Sequence, residues 1–203
     1  MKAKTHPSPG PAPLPKNQAT LTEAESRAQG HSPRLGRVHL IVGPVGAGKS
    51  TFAKKLSRDS LAPRLTLDEW MTQLFRPDRP ADGVIEWYRE RARRSVEQIW
   101  RVAQEVVVSG TDVILEIGLL HQHERLAFYE RVEQAGLELT VYVIDASREL
   151  RRARVMARNQ ERGDTFSVVV PLEFFELASD LWEPLAASEI EAYDVHLFRT
   201  DTT

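Results

Sequence analysis

Residues 39–56 of this 203-residue chain read HLIVGPVGAGKSTFAKKL. Between Gly43 and Thr51 the stretch carries three glycines, a lysine and two hydroxyl side chains. The apolar run at residues 38–42 predicts a short strand, and residues 49–57 predict a helix. A strand, a tight glycine loop and a helix are therefore expected in direct succession.

The glycine loop fits the pattern G-x-x-x-x-G-K-[ST], which is typical of loops that bind nucleotide phosphates. Glycines let the backbone curl so that successive N–H groups point at phosphate oxygens, and the following helix adds its positive N-terminal end. We expect Lys49 to reach the β- and γ-phosphates and to act in catalysis, and Ser50 to ligate Mg²⁺. The predicted nucleotide-binding residues, called the P-loop below, are Gly43, Pro44, Val45, Gly46, Ala47, Gly48, Lys49, Ser50 and Thr51.

Strand-like and helix-like runs alternate along the rest of the chain. Further strands are predicted at residues 64–67, 113–117, 139–144 and 195–198, and helices at 68–75, 83–108, 121–135, 147–159 and 172–178. This alternation predicts an α/β fold with a parallel sheet and helices on both of its faces. Ligands of such sheets bind beyond the carboxyl ends of the strands.

Asp68 follows the second predicted strand and so is expected at the ligand-binding edge of the sheet. A carboxylate in this place can orient an acceptor hydroxyl and take its proton while a phosphoryl group is transferred. Aspartate is also a favoured N-cap residue, and Asp68 precedes a predicted helix. Both roles are open from its position alone.

Glu116 ends the third predicted strand, in the run DVILEIG. Four apolar residues followed by a carboxylate resemble a Walker B strand, whose acid holds Mg²⁺ directly or through water, or contacts substrate. We therefore name Glu116, with Ser50, as a candidate metal ligand. A buried strand can also end in an acid that has no catalytic role.

The predicted helix at residues 147–159 is rich in arginine. Residues 151, 154 and 158 share one face, and the helix follows the fourth strand on the ligand side of the sheet. Arginines in this position can close over ATP and stabilise charge on the transferring group. Arg154 and Arg158 are our candidates for this catalytic role.

The bulk composition excludes several classes of protein. The net charge of -2 argues against a protein built to bind long nucleic acids, and the absence of cysteine excludes disulfides and thiolate metal sites. No apolar run approaches the roughly 20 residues of a membrane span, so we expect a cytoplasmic protein that binds no membrane. Residues 1–35 hold six of the 12 prolines and predict a disordered tail, which leaves residues 36–203 as the folded domain.

Four stretches together resemble the small P-loop kinases of the AAA-type ATP-binding-protein family, relatives of chloramphenicol phosphotransferase and the zeta toxins. The resemblance runs from about residue 38 to 185. The P-loop is shared by many families, whereas LDEWM and RVMARN are specific to this one. The stretches are GPVGAGKSTFAKKL, LDEWMTQLFRPDR, GTDVILEIGL and ARVMARN.

The resemblance implies a three-layer, kinase-type core with sheet order 2-3-1-4-5, an arginine-rich helical lid, and ATP with Mg²⁺ as the phosphoryl donor. It makes Asp68 the catalytic base, and Arg154 and Arg158 the lid arginines. The third strand of the family often ends in aspartate, whereas this chain has Glu116. The stretch DLWEP at residues 180–184 resembles a family segment that lines the nucleotide base or simply packs.

The leading hypothesis is therefore a monomeric or homodimeric kinase that moves the γ-phosphate of ATP to a hydroxyl of a small molecule. By analogy with the family, the acceptor is an antibiotic or another sugar-like metabolite. Two alternatives remain open from the sequence. One is an ATP-binding switch or accessory ATPase that acts on a protein partner, and the other is a nucleotide or polynucleotide-end kinase.

Overall fold

The computed structural model describes residues 34–161 and 169–201. In this part of the chain a five-stranded sheet has the order β2-β3-β1-β4-β5, and all neighbouring strands are parallel. Both the predicted fold class and the predicted strand order are confirmed. The strands are β1 (Arg37–Val42), β2 (Arg64–Thr66), β3 (Val113–Glu116), β4 (Glu138–Asp145) and β5 (Asp194–Arg199).

Helices connect the strands and cover both faces of the sheet. The helices are α1 (Lys49–Ser60), α2 (Leu67–Trp70), α3 (Val84–Val108), α4 (Gln122–Gln134), α5 (Arg148–Glu161), α6 (Leu172–Asp180) and α7 (Ala187–Ala192). A π-helical turn, Met71–Phe75, and a 3₁₀ turn, Arg76–Asp78, connect α2 to the loop before α3. No helix of the described ranges is both long and apolar enough to cross a membrane.

The central strands are buried on both sides, which explains their unbroken apolar sequence. On one face, alternate strand residues such as Leu40 and Leu115 pack against Ile99 of α3 and Phe128 of α4. On the other face, residues such as Ile41 pack against α1 and its Ala53. Because all neighbouring strands are parallel, their carboxyl ends lie at the same edge of the sheet.

Three details differ from the sequence-based expectations. Strand β2 ends at Thr66, and Asp68 lies in the first turn of α2. The predicted helix at 68–75 is α2 continued by the π-helical turn, and the six-residue helix α7 was not predicted. The predicted tail lies outside the described residues except for its last two, and so do residues 162–168 after the arginine-rich helix.

A buried ion pair fastens α7 to α4. Arg125 and Glu189 are both fully buried, and the guanidinium donates to both carboxylate oxygens at 2.8 and 3.0 Å. The same guanidinium also donates to the carbonyls of Leu120 and Glu183 and lies over the Trp182 ring, 5.2 Å from its centre. The DLWEP stretch therefore packs against the N-terminal end of α4.

Candidate active site

The P-loop connects the end of β1 to the start of α1, and its backbone needs glycine. Gly43, Gly46 and Gly48 have positive φ angles of 145°, 80° and 98°. A Cβ on Gly43 would lie 2.0 Å from the carbonyl oxygen of Ile144, whereas one on Gly48 would meet no atom within 4 Å. The loop is thus packed tightly behind Gly43 and open beside Gly48, as a cradle for an anion requires.

Lys49 begins α1, and its ammonium lies against the loop itself. Nζ donates to the carbonyl oxygens of Gly43 at 2.9 Å and Pro44 at 3.0 Å. Burial lowers the pKa of Lys49, and the charges of Glu116 and Asp68 oppose this shift. An incoming phosphate would add further negative charge beside the ammonium and so favour its charged form.

Ser50 and Glu116 meet at the carboxyl end of β3. The Ser50 hydroxyl donates to Oε1 of Glu116 at 2.9 Å, while Oε2 is buried and has no hydrogen-bond partner within the described ranges. Burial raises the pKa of Glu116, and Lys49 and the bond from Ser50 oppose this shift. A hydroxyl beside a carboxylate with a vacant oxygen is a donor set that suits Mg²⁺. Ser50 and Glu116 therefore fit the predicted Mg²⁺ site.

Asp68 presents an exposed carboxylate at the same edge of the sheet. It is not the N-cap of α2, because Thr66 holds that position and no side chain caps the helix. Its charge raises the pKa of Lys49, Arg158 and Tyr88, so Asp68 lies within electrostatic range of these three side chains. The N-cap interpretation of Asp68 is therefore wrong, and its carboxylate is available to a ligand.

Arg158 lies on α5 within electrostatic range of Asp68 and Glu116. Its Nε is buried and donates to no partner in the part of the chain that the structure describes. Burial lowers the pKa of Arg158, and the charges of Asp68 and Glu116 oppose this shift. Buried polar groups are nearly always hydrogen-bonded, so the vacant Nε and the vacant Oε2 of Glu116 together indicate a place for a polar ligand.

Arg154 lies one turn earlier on α5 and has a different environment. Its guanidinium donates to both the hydroxyl and the carbonyl oxygen of Thr200, each at 2.7 Å. The Thr200 hydroxyl in turn donates to the carbonyl of Ala47 in the P-loop at 3.1 Å. The structure therefore places Arg158 near Asp68 and Glu116, whereas Arg154 contacts the P-loop through Thr200.

Two residues at the site were not proposed from the sequence. Arg151 is buried and bonds to the P-loop carbonyl of Val45, although the sequence showed only that it shares a helix face with Arg154. Tyr88 lies near the start of α3 and is partly exposed, and the desolvation of its phenol with the charge of Asp68 raises its pKa to about 12. No local motif in the sequence marked this residue.

The model of the AAA domain family matches residues 38–172 of this chain. No curated protein matches the chain at the level of sequence.

Solved structures share the fold at low sequence identity. A candidate kinase from Chloroflexus aurantiacus has a TM-score of 0.64 at 16% identity, with 82% of this chain and 86% of that chain covered. Kti12 from Chaetomium thermophilum, solved with ADP-AlF3, has a TM-score of 0.60 at 13% identity and coverages of 81% and 89%. The Mycobacterium tuberculosis APS kinase CysC, solved with AMPPNP and APS, has a TM-score of 0.55 at 16% identity and coverages of 84% and 92%. These similarities show a P-loop kinase fold.

Proposed function

The chain belongs to the AAA domain family, and from that premise we propose that it is an ATP-dependent phosphotransferase. It moves the γ-phosphate of ATP to a hydroxyl of a small molecule such as an antibiotic or a sugar-like metabolite. The observation that carries this proposal is the exposed carboxylate of Asp68, which follows β2 at the ligand-binding edge of the sheet and lies within electrostatic range of Lys49 and Arg158. A carboxylate that can accept a proton, close to cationic side chains, is the arrangement that phosphoryl transfer to an alcohol needs.

In this proposal the P-loop binds the triphosphate. The backbone amides of the loop and the N-terminal end of α1 surround the β-phosphate. The Lys49 ammonium then exchanges its two loop carbonyls for oxygens of the β- and γ-phosphates. Nucleotides in two of the structures with this fold, AMPPNP and ADP-AlF3, support ATP as the donor.

Mg²⁺ belongs to the proposed donor complex. Ser50 would supply its hydroxyl oxygen, and Glu116 its vacant carboxylate oxygen, either directly or through a water molecule. The ion would neutralise charge on the β- and γ-phosphates when bound. Because Glu116 is buried and accepts a hydrogen bond from Ser50, the protein holds this side chain in place before any ligand arrives.

The transfer itself uses Asp68 and Arg158. Asp68 accepts the proton of the acceptor hydroxyl, whose oxygen forms a bond to the γ-phosphorus while the bond from that phosphorus to the β–γ bridging oxygen breaks. ADP leaves with the electrons of that bond. Arg158 donates to the equatorial oxygens of the group in flight and stabilises the charge spread over them. The catalytic role predicted for Arg154 requires its guanidinium to leave Thr200.

The variant Asp68→Asn tests the proposal against the alternative of a nucleotide-dependent switch. We expect Asp68→Asn to bind ATP·Mg²⁺ with unchanged affinity in isothermal titration but to lose phosphate transfer. The acceptor assay uses hydroxylated antibiotics, nucleosides, sugars and APS, with detection of the added phosphate by mass. Glu69→Gln is the matched control, because Glu69 is the neighbouring exposed acid and its carboxylate pairs with Arg64. Slow ATP hydrolysis at equal rates in all three proteins, with no acceptor modified, would favour the switch.

A further inference from the structure

We propose that Arg151 and the Arg154–Thr200 pair are positioning residues for the nucleotide phosphates. They hold the carbonyl groups of Val45 and Ala47 on the outer side of the P-loop. This orients the amide N–H groups of the residues that follow each of them, Gly46 and Gly48, towards the phosphates. The inference rests on the proposed function, because it requires the P-loop to bind a nucleotide. It concerns the affinity of the loop and not the chemistry of transfer.

Arg151 joins three elements around the P-loop. Its Nη1 donates to the carbonyl of Val45 and to the hydroxyl of Ser179 in α6, both at 3.1 Å. Its Nε donates to the carbonyl of Ala146, just after β4, also at 3.1 Å. The guanidinium is buried and lies 5.7 Å from the centre of the Phe175 ring. Its position is therefore fixed by two helices and the end of a strand.

The geometry of the peptide unit turns this contact into an orientation of the P-loop. In a planar trans peptide the C=O of one residue and the N–H of the next point in opposite directions. The described chain has no cis peptide bond. When Arg151 holds the Val45 carbonyl on the outer side, the N–H of Gly46 must point to the inner side, where the phosphates bind.

Arg154 acts through Thr200 to hold a second carbonyl of the P-loop, that of Ala47. The Thr200 hydroxyl donates to the carbonyl of Ala47 at 3.1 Å and shares its hydrogen with the carbonyl of Asp145 at 3.3 Å. Arg154 fixes the hydroxyl by donating to its oxygen. The N–H of Gly48 is thereby directed to the inner side of the loop.

Backbone packing restricts the same peptides from turning over. A Cβ on Gly46 would lie 2.7 Å from the carbonyl oxygen of Arg151 and 3.0 Å from Cγ2 of Val155. The P-loop thus lies directly against α5 at this residue. Without the arginine contacts, glycine-rich peptides can rotate, and a ligand would then have to order them on binding.

The first test is Arg151→Lys, measured with ATP·Mg²⁺ and with inorganic tripolyphosphate. Lysine keeps the charge but cannot reach three acceptors in three directions. We expect the affinity for both probes to fall about tenfold, in line with the loss of one well-placed hydrogen bond. Turnover at saturating ATP should stay near that of the wild type, so KM for ATP rises while kcat does not fall. Arg152→Lys is the matched control, because Arg152 is the next residue and pairs with Glu176 on the surface.

The second test is Thr200→Val, which keeps the shape of the side chain and removes its hydroxyl. We expect both affinities to fall about threefold, since the hydroxyl shares its hydrogen between two carbonyls. Thermal unfolding of each variant separates lost affinity from lost folding, and Thr200→Val decides the matter if Arg151→Lys does not fold. Wild-type protein that binds ATP while both variants bind it within twofold of the wild type would overturn this inference alone. Wild-type protein that binds neither probe would overturn the proposed function as well.

Discussion

The hydroxyl of Ser50 donates to Oε1 of Glu116 across 2.9 Å and so joins the start of α1 to the end of β3. The two residues are 66 positions apart in the chain, and the parallel sheet brings them together at one edge. Only one oxygen of the carboxylate is used, and the other is buried without a partner among the described residues. The pair is therefore prepared for a ligand that the folded chain alone does not supply.

Glu116→Gln should stabilise the ligand-free protein while it weakens binding of ATP·Mg²⁺. Burial raises the pKa of Glu116, so the folded state binds its proton more tightly than the unfolded state does. The wild type therefore loses stability as the pH rises from the ordinary glutamate pKa of the unfolded state through the raised pKa of the folded state, and the loss persists at higher pH. Urea titrations at a series of pH values should show an advantage for the variant at neutral pH that disappears in acid. Equal stability of the two proteins at neutral pH would contradict this interpretation.

Gly46→Ala should lower the free energy of unfolding by more than the cost of placing alanine at a positive φ angle. The new Cβ would lie 2.7 Å from a backbone oxygen of α5, and the residue has a φ angle of 80°. Gly136→Ala is the control, because Gly136 has a similar φ of 67° and open space around it. We expect Gly136→Ala to cost about 1 kcal/mol in the free energy of unfolding. Gly46→Ala should cost more and should also abolish measurable ATP binding, and equal losses of stability in the two variants would exclude the steric argument.

Glu189→Ala should be strongly destabilising, because it leaves the buried guanidinium of Arg125 without its carboxylate. Breaking a buried ion pair from one side typically costs about 3–5 kcal/mol. Glu97→Ala breaks a similar two-bond pair with Arg131 that is partly exposed, and an exposed pair contributes at most about 1 kcal/mol. Denaturant unfolding of both variants measures the difference, and a smaller loss for Glu189→Ala than for Glu97→Ala would be the contrary result.

Arg158→Ala should lower kcat by about a hundredfold or more, with little change in the affinity for ATP. The reason is that its Nε has no partner among the described residues and that the charges of Asp68 and Glu116, which the proposal places around the transferred group, both act on Arg158. Arg154→Ala should instead weaken ATP binding, because Arg154 supports the P-loop through Thr200. Steady-state kinetics with an acceptor from the panel separates the two effects. A loss in kcat alone for Arg154→Ala would restore Arg154 to the direct role that the sequence suggested.

Local sequence patterns predicted the parts of the site that depend on neighbouring residues. The P-loop and the strand that ends at Glu116 are short, continuous runs whose spacing carries the geometry. Asp68 was located from the end of a strand, but its capping alternative could be excluded only from the structure. These features needed no knowledge of distant contacts beyond the order of the strands.

The remaining features depend on contacts between distant parts of the chain. Arg151 reaches Val45 across 106 positions, and Arg154 reaches Thr200 across 46. Three arginines on one helix face have the same residue type and similar spacing, so the sequence could not tell which of them faces the acids and which supports the loop. Only the packing of α5 against the P-loop separates their roles.

The most direct test of the proposed transfer is to follow the γ-phosphoryl group of ATP labelled with ¹⁸O at its terminal oxygens. With the wild type and an acceptor from the panel, mass spectrometry should find the label on the acceptor, and Asp68→Asn should leave it on ATP. Label that appears only in free phosphate, at equal rates with and without acceptor and in both proteins, would contradict the account.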